Sequence, residues 1–259
     1  MISKRLQHYW DLLYVITRKE IQVKYKGSLL GYLWSVAHPL ALAVIFYYAF
    51  KIVIRLSVDP YPYQLFLICG LFPWQWFSNS VTASPFIFIS NASIIKKVNF
   101  PRNIIPLATI LNDMIHFILT IPVIVVFMIF HGYSPSLSWI YGIPLLLLIQ
   151  LLGTYGVVMI IASFNLFLRD LERITVLLIT FAFYLTPIIY PASKVPGQYR
   201  TFLFLLNPLA SLLVSWRMLF LEGKTDPFHL SLSFTSALLI AVVGHLVFRK
   251  LSWKFAEVI

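Results

Sequence analysis

Apolar residues in this chain run in long blocks rather than in short alternation. Six blocks, at 29–52, 63–89, 104–130, 139–167, 174–190 and 228–248, read as membrane-crossing helices, each of which needs about 20 mainly apolar residues. The segment ahead of them has a different rhythm. On a helical projection Leu6, Tyr9, Trp10, Leu13, Ile16 and Ile21 share one face, with Asp11, Arg18, Lys19 and Gln22 opposite. That is the pattern of an amphipathic helix lying on anionic lipid. Leu12, Tyr14 and Val15 blur the polar face and leave a second reading open, in which a protein partner covers it.

Irregularities are legible too. No Asp, Glu, Lys or Arg occurs between Tyr61 and Ile95 or between Gly132 and Leu168, so tilt or a broken helix must absorb the excess length. Pro73, Pro85 and Pro144 are the expected kinks, and Pro39 is expected to close the first apolar stretch. The stretch 197–222 is apolar but carries Arg200, Asn207, Pro208 and Arg217, which suits a pair of short re-entrant helices better than a full span. The expected fold is an all-α integral membrane protein forming one domain over 1–259. It comprises a cytoplasmic interface helix at 1–28, a six-span bundle at 29–248 with the outer re-entrant stretch 197–222, and a cytoplasmic tail at 249–259.

Composition agrees with the pattern: 60% of residues are hydrophobic, 11% are charged and the mean hydropathy is +0.86, outside the mix of a soluble domain. The net charge of +11 therefore bears on orientation rather than on nucleic acid. Fourteen of the 20 Lys and Arg residues fall in the segments taken as inner, and six (Lys51, Arg55, Lys194, Arg200, Arg217 and Lys224) in those taken as outer. The positive-inside rule then places both termini in the cytoplasm. A single cysteine, Cys69, offers no disulfide framework. The six histidines are scattered without ligand spacing, so no metal site is expected. No signal peptide is read at the N-terminus. The run from Met218 to Thr225 ends like a phosphate loop but has Met218 where the motif requires glycine, so no nucleotide site is expected in this chain.

Several constellations stand out. The inner loop Lys96-Lys97-Val98-Asn99-Phe100-Pro101-Arg102 is read either as ordinary positive-inside charge or, with Phe100-Pro101 exposed between cations, as a knob for another protein's groove. Arg169 and Asp170 lie in a second inner loop of mixed charge that could pair with a partner surface or with the N-terminal helix. Asp113, near Asn112 and His116, is the one carboxylate placed well inside a span, where an acid marks function or a buried hydrogen bond. Trp34, Tyr47, Trp74, Tyr155 and Tyr184 are read either as lipid-facing bulk and interfacial belts or as candidates for a conduit lining, since flat apolar faces suit the C–H surfaces of a sugar chain.

Three motifs carry a family likeness. They are Tyr25-Lys26-x-Ser28-x-Leu30-Gly31-x-Leu33-Trp34 followed by Pro39, then Lys96-Lys97-Val98-x-Phe100-Pro101-Arg102, then Leu206-Asn207-Pro208-Leu209 followed by Arg217. With them the chain resembles, over essentially its whole length, the transmembrane subunit of ABC transporters that export lipid-linked polysaccharide of the O-antigen, teichoic-acid and capsule type. The resemblance implies a homodimer with two copies of a separate ATPase, which would bind ATP and Mg, and a lipid-linked glycan as cargo. It also implies coupling through the interface helix (Trp10, Arg18, Lys19, Tyr25, Lys26) and the loops at Lys96, Lys97, Phe100, Pro101, Arg102, Arg169 and Asp170. A gate would form at the outer helices with Asn207 and Arg217. No covalent chemistry would fall to this chain, and its partners would be membrane lipids and protein, not nucleic acid. Readings from other classes are a membrane enzyme acting on polyprenyl-linked sugars and a proton-coupled carrier. A nearer alternative is the same architecture moving teichoic acid, capsule, lipo-oligosaccharide or a drug.

Overall fold

The computed structural model describes residues 2–25, 33–58, 60–98 and 100–255, without the side chains of 2–6, 8, 23–25 and 35. Lys26, Ser28, Leu30, Gly31 and Asn99 therefore lie outside the described residues, as does the side chain of Tyr25. Every regular element described is helical.

Helix α1 (Ile2–Tyr25) precedes α2 (Leu33–Phe46), which continues through a π-helical stretch, Tyr47–Val53. Pro39 sits inside α2 and does not close it. Its missing N–H removes one bond of the ladder, and the helix runs on past it. Next comes α3 (Tyr63–Ala83), then a 3-10 turn at Ser84–Phe86 and two short helices, α4 (Ile87–Ser90) and α5 (Ala92–Lys97). The break falls at Pro85, where a kink was expected. Its exposed backbone is re-satisfied from inside the bundle: Asn165 Nδ2 donates to Pro85 O at 2.8 Å and Ser84 Oγ to Val81 O at 2.6 Å. Pro73 and Pro144, by contrast, are carried within unbroken α-helices.

Two long helices follow, α6 (Ile104–Phe130) and α7 (Trp139–Asn165), then a short one, α8 (Leu171–Leu185). Helices α9 (Gly197–Leu206) and α10 (Pro208–Arg217) meet at a bend of 102°, with a π-helical turn over Met218–Glu222. Asn207 makes the corner: its Oδ1 accepts from Leu209 N at 3.1 Å and Pro208 opens α10, so the chain restarts a helix in a new direction. Gly223 closes the turn in the left-handed region, φ 64°. Asp226 then caps α11 (Pro227–Leu251) in the same way, its side chain accepting from Phe228 N at 3.0 Å.

Helix α3 is the centre of the bundle, buried on every face from Leu65 to Phe77 apart from Gln75. Gln150 of α7 ties three helices together there. Its Nε2 donates to Pro73 O at 2.8 Å and its Oε1 accepts from Trp216 Nε1 at 2.7 Å. Helices α7 and α11 approach most closely, through Gly153 and Gly156 on one and Ala237, Ala241 and Gly244 on the other. A Cβ on Gly156 would lie 2.6 Å from Ala241 N, and one on Gly244 2.7 Å from Gly156 Cα. Where lipid is as apolar as leucine, such close backbone approach is what holds helices together.

Among the described residues four helical stretches are long and apolar enough to cross a bilayer unaided: 36–53, α6, α7 and 227–254; the bent α9–α10 pair makes a fifth if it counts as one span. The blocks at 63–89 and 174–190 do not meet that measure. The first carries Gln64, Gln75, Asn79 and Ser80 on a helix enclosed by protein, and the second has only 15 helical residues, about 22 Å at 1.5 Å per residue.

Candidate functional site

The basic loops gather at one end of the bundle, and α1 is fastened to them. Leu13 and Ile16 of α1 are buried against Ile104 and Ala108 of α6, with Tyr9, Leu12, Phe100, Leu107 and Leu111 around them. Two polar contacts pin the same helix: Lys19 Nζ donates to Asn91 Oδ1 at 3.1 Å, and Asn103 Nδ2 to the Tyr9 hydroxyl at 3.1 Å. Burial pushes the Tyr9 phenol above its ordinary pKa, and the Asn103 hydrogen bond works against that rise. Arg102 is half-buried and donates to Ser252 O just past α11. One turn of chain thus joins α1, α6 and the C-terminal helix.

This arrangement corrects two expectations. Phe100 is not an exposed knob. It is half-buried between α1 and α6, because the apolar face of α1 needs a cover and Phe100 lies beside it. The exposed apolar side chain of the loop is Val98, flanked by exposed Lys96, Lys97 and Pro101. Trp10 likewise leaves the buried face of α1: it is 60% exposed and lies with Tyr14, Val15 and Arg18 on the outward side, while Leu12 takes the inward place. Arg169 and Asp170 are exposed in the turn before α8, beside exposed Leu168.

At the other site, Arg217 is enclosed. Its guanidinium stacks 3.8 Å from the Phe66 ring centroid and donates to Phe66 O at 3.2 Å and to the carbonyls of Pro187 and Ile188. Gly70 makes the room: a Cβ there would come within 2.8 Å of Arg217 Cζ. Asn207 Nδ2 reaches Thr186 Oγ1 at 2.8 Å, and Tyr63 donates its hydroxyl to Ile189 O at 2.9 Å. The chain from Thr186 to Ile189 is therefore held from three sides. Sequence reasoning missed Gly70 and Tyr63; the only signal for them was a glycine and a tyrosine inside a charge-free run.

The conduit candidates are not brought together within one chain. Trp74 is buried against Phe77 and Phe183, ring centroids 5.7 Å away in both cases. Tyr155 pairs with His245 at 3.1 Å, and Tyr47 lies 6.5 Å from the Tyr63 ring. Trp34 and Tyr184 are exposed, at 54% and 57%. Helices α2 and α8 are neighbours, Phe46 stacking on Phe183 at 5.3 Å. Exposed apolar side chains lie on both, Val44 and Ile45 on α2 with Tyr48 just past it, and Leu177, Phe181 and Tyr184 on α8. Asp113, in α6, accepts from Ser80 Oγ at 2.8 Å, and His116 Nδ1 lies 3.9 Å from its other oxygen.

Residues 11–221 match the family model of the ABC-2 type transporter. The chain belongs to this family. Two proteins of Klebsiella pneumoniae named O-antigen export system permease protein RfbA are 48% and 46% identical to it over 254 residues, covering 98% of this chain and 97% of each relative. A Myxococcus xanthus protein of the same name is 31% identical over 225 residues, 86% of this chain and 85% of its own length. ABC-2 membership makes the chain a multi-pass membrane transport subunit rather than an enzyme, and implies an ABC ATPase as partner.

Proposed function

We propose that this chain is the permease of an ATP-driven exporter that carries a lipid-linked, O-antigen-like polysaccharide across the cytoplasmic membrane. The observation that carries the reading is its near-full-length likeness, at 46–48% identity, to two O-antigen export permeases. Two chains assemble with two copies of a separate ATPase, which binds ATP and Mg. Both termini are cytoplasmic. Six crossings are made by 33–53, α3, α6, α7, α8 and α11, with α9–α10 dipping in from the outer side as the gate. A helix enclosed by protein need not be apolar to cross, which is the case for α3, and α8 gains reach from the tethered chain up to Tyr190.

Coupling runs through the fastened module of α1, the Lys96–Arg102 turn and the exposed Arg169–Asp170 turn. The exposed cations Lys96, Lys97 and Arg169 and the apolar Val98 form the surface offered to the ATPase. Arg18, Trp10 and Tyr14 on the free face of α1 suit lipid headgroups or the same partner. The outward aromatics of α2 and α8 supply the flat, weakly binding wall that a sliding glycan requires.

The test is to delete the gene in its host and fractionate the glycan. Lipid-linked polymer trapped inside the cytoplasmic membrane is the expected result. Normal surface polymer removes the exporter reading, and loss of polymer everywhere points to a synthetic enzyme.

A further inference from the structure

A chamber of about 420 Å3 opens between α1, α3 and α6 near the basic end of the bundle. Its lining is Glu20 from α1, Asn79, Thr82 and Ala83 from α3, and Thr109, Asn112 and Asp113 from α6. The size falls in the range of ligand sites, roughly 300–1,000 Å3, and exceeds what a few structural waters fill. Asn112 is 5% exposed and its Oδ1 has no hydrogen-bond partner, an unusual state for a buried amide. Asn79 spends its Oδ1 on Gln75 Nε2 at 2.7 Å, which leaves its amide nitrogen to donate elsewhere. Thr109 directs its hydroxyl to Ile105 O at 3.3 Å, keeping lone pairs as acceptors.

The chemistry of the lining discriminates among occupants. Among the described residues no lysine or arginine faces the chamber, so the phosphates of a lipid carrier are disfavoured there by the two carboxyl groups. Among the described residues no three acids, histidines or cysteines gather to hold a metal ion, and a cation would use only the oxygen atoms, leaving the Asn79 amide nitrogen unmet. A group that both donates and accepts at several points satisfies the whole set, and sugar hydroxyls do so. We propose that this chamber binds a neutral segment of the glycan at the loading side, with Glu20, Asn79, Asn112 and Asp113 as its hydrogen-bonding residues. This rests on the exporter reading above.

The test uses Thr82→Cys in the full chain with its ATPase partner in proteoliposomes. The native Cys69 is buried and the sole cysteine, so maleimide labelling reports position 82. The host's surface polysaccharide, stripped of lipid, should slow labelling at least threefold, while undecaprenyl phosphate and MgCl2 leave it unchanged. Adding Glu20→Gln and Asn79→Ala should abolish that protection. No protection by the glycan, protection by MgCl2, or equal protection by the ATPase alone would each overturn the proposal, the last assigning the chamber to the partner protein. The gene deletion stands apart: trapped glycan without protection at position 82 keeps the exporter and removes the chamber, whereas normal surface glycan removes the exporter.

Discussion

Arg217 is the residue whose role changes most between sequence and structure. An arginine in the outer helix pair reads as a gate charge, yet its guanidinium is committed to three backbone carbonyls and the face of Phe66. Leaving such buried acceptors unpaired costs about 1–3 kcal/mol each. Arg217→Ala should therefore lower the thermal midpoint of the solubilised chain by several degrees and loosen the Thr186–Ile189 segment. Gly70→Ala should reproduce the loss, because the added Cβ meets a guanidinium that its carbonyl partners hold in place. A normal melting curve for both variants would remove the clamp and return Arg217 to the gate surface. The side chain was legible as unusual, but its partners were not: Phe66, Gly70 and Pro187 lie on other elements, and nothing in local spacing links them.

Among elements, proline marks breaks unevenly, since Pro39, Pro73 and Pro144 are carried within helices. Asn207-Pro208 marks the corner of α9 and α10, and Pro85 the end of α3, because each removes a backbone donor and needs a substitute partner. Contacts between elements were not read. The amphipathic pattern of α1 suits anionic lipid or, with its blurred polar face, a protein partner, whereas its inner face is covered by α6 and Phe100 of the same chain, since hydrophobic periodicity records that a face is buried and not what buries it. Substitutions in the loop should therefore separate. Val98→Asp, on an exposed side chain, should abolish stimulation of the ATPase while the chain stays folded and inserted. Phe100→Asp should instead release α1, seen as faster proteolysis near Lys19, and lose stimulation as a consequence. Equal protease resistance of the two variants would contradict the packing of α1. The α7–α11 seam gives a second contrast. Gly156→Ala places its Cβ against backbone of α11 and should depress stability and yield, whereas Gly153→Ala reaches Ala237 Cβ at 3.4 Å and should be nearly neutral. Comparable yields would mean that the two helices do not meet at Gly156.

For the whole molecule, the number of crossings turns on α8. Charge placement argues for six crossings, because Arg169 and Arg173 would share the inner side with Lys96 and Arg249 while Lys194 and Arg200 lie outside. Length argues the other way, since 15 helical residues fall short of a bilayer core of about 30 Å. Six crossings would need non-helical backbone at membrane depth beyond α8 to have its polar groups met by protein, and there the segment 186–189 is buried and clamped by Arg217, Asn207 and Tyr63. Single cysteines at Arg169 and Lys194 decide the matter, again over the silent background of Cys69. With a membrane-impermeant maleimide, Lys194→Cys should label from the outer side of intact spheroplasts and Arg169→Cys only after the membrane is opened. Labelling of both from one side would reduce α8 to a hairpin arm and move the C-terminus, with its Arg249, Lys250 and Lys254, to the opposite face. That outcome would also take α11 out of register with the ATPase side, so a tag at the C-terminus, accessible only in opened spheroplasts, provides the independent check.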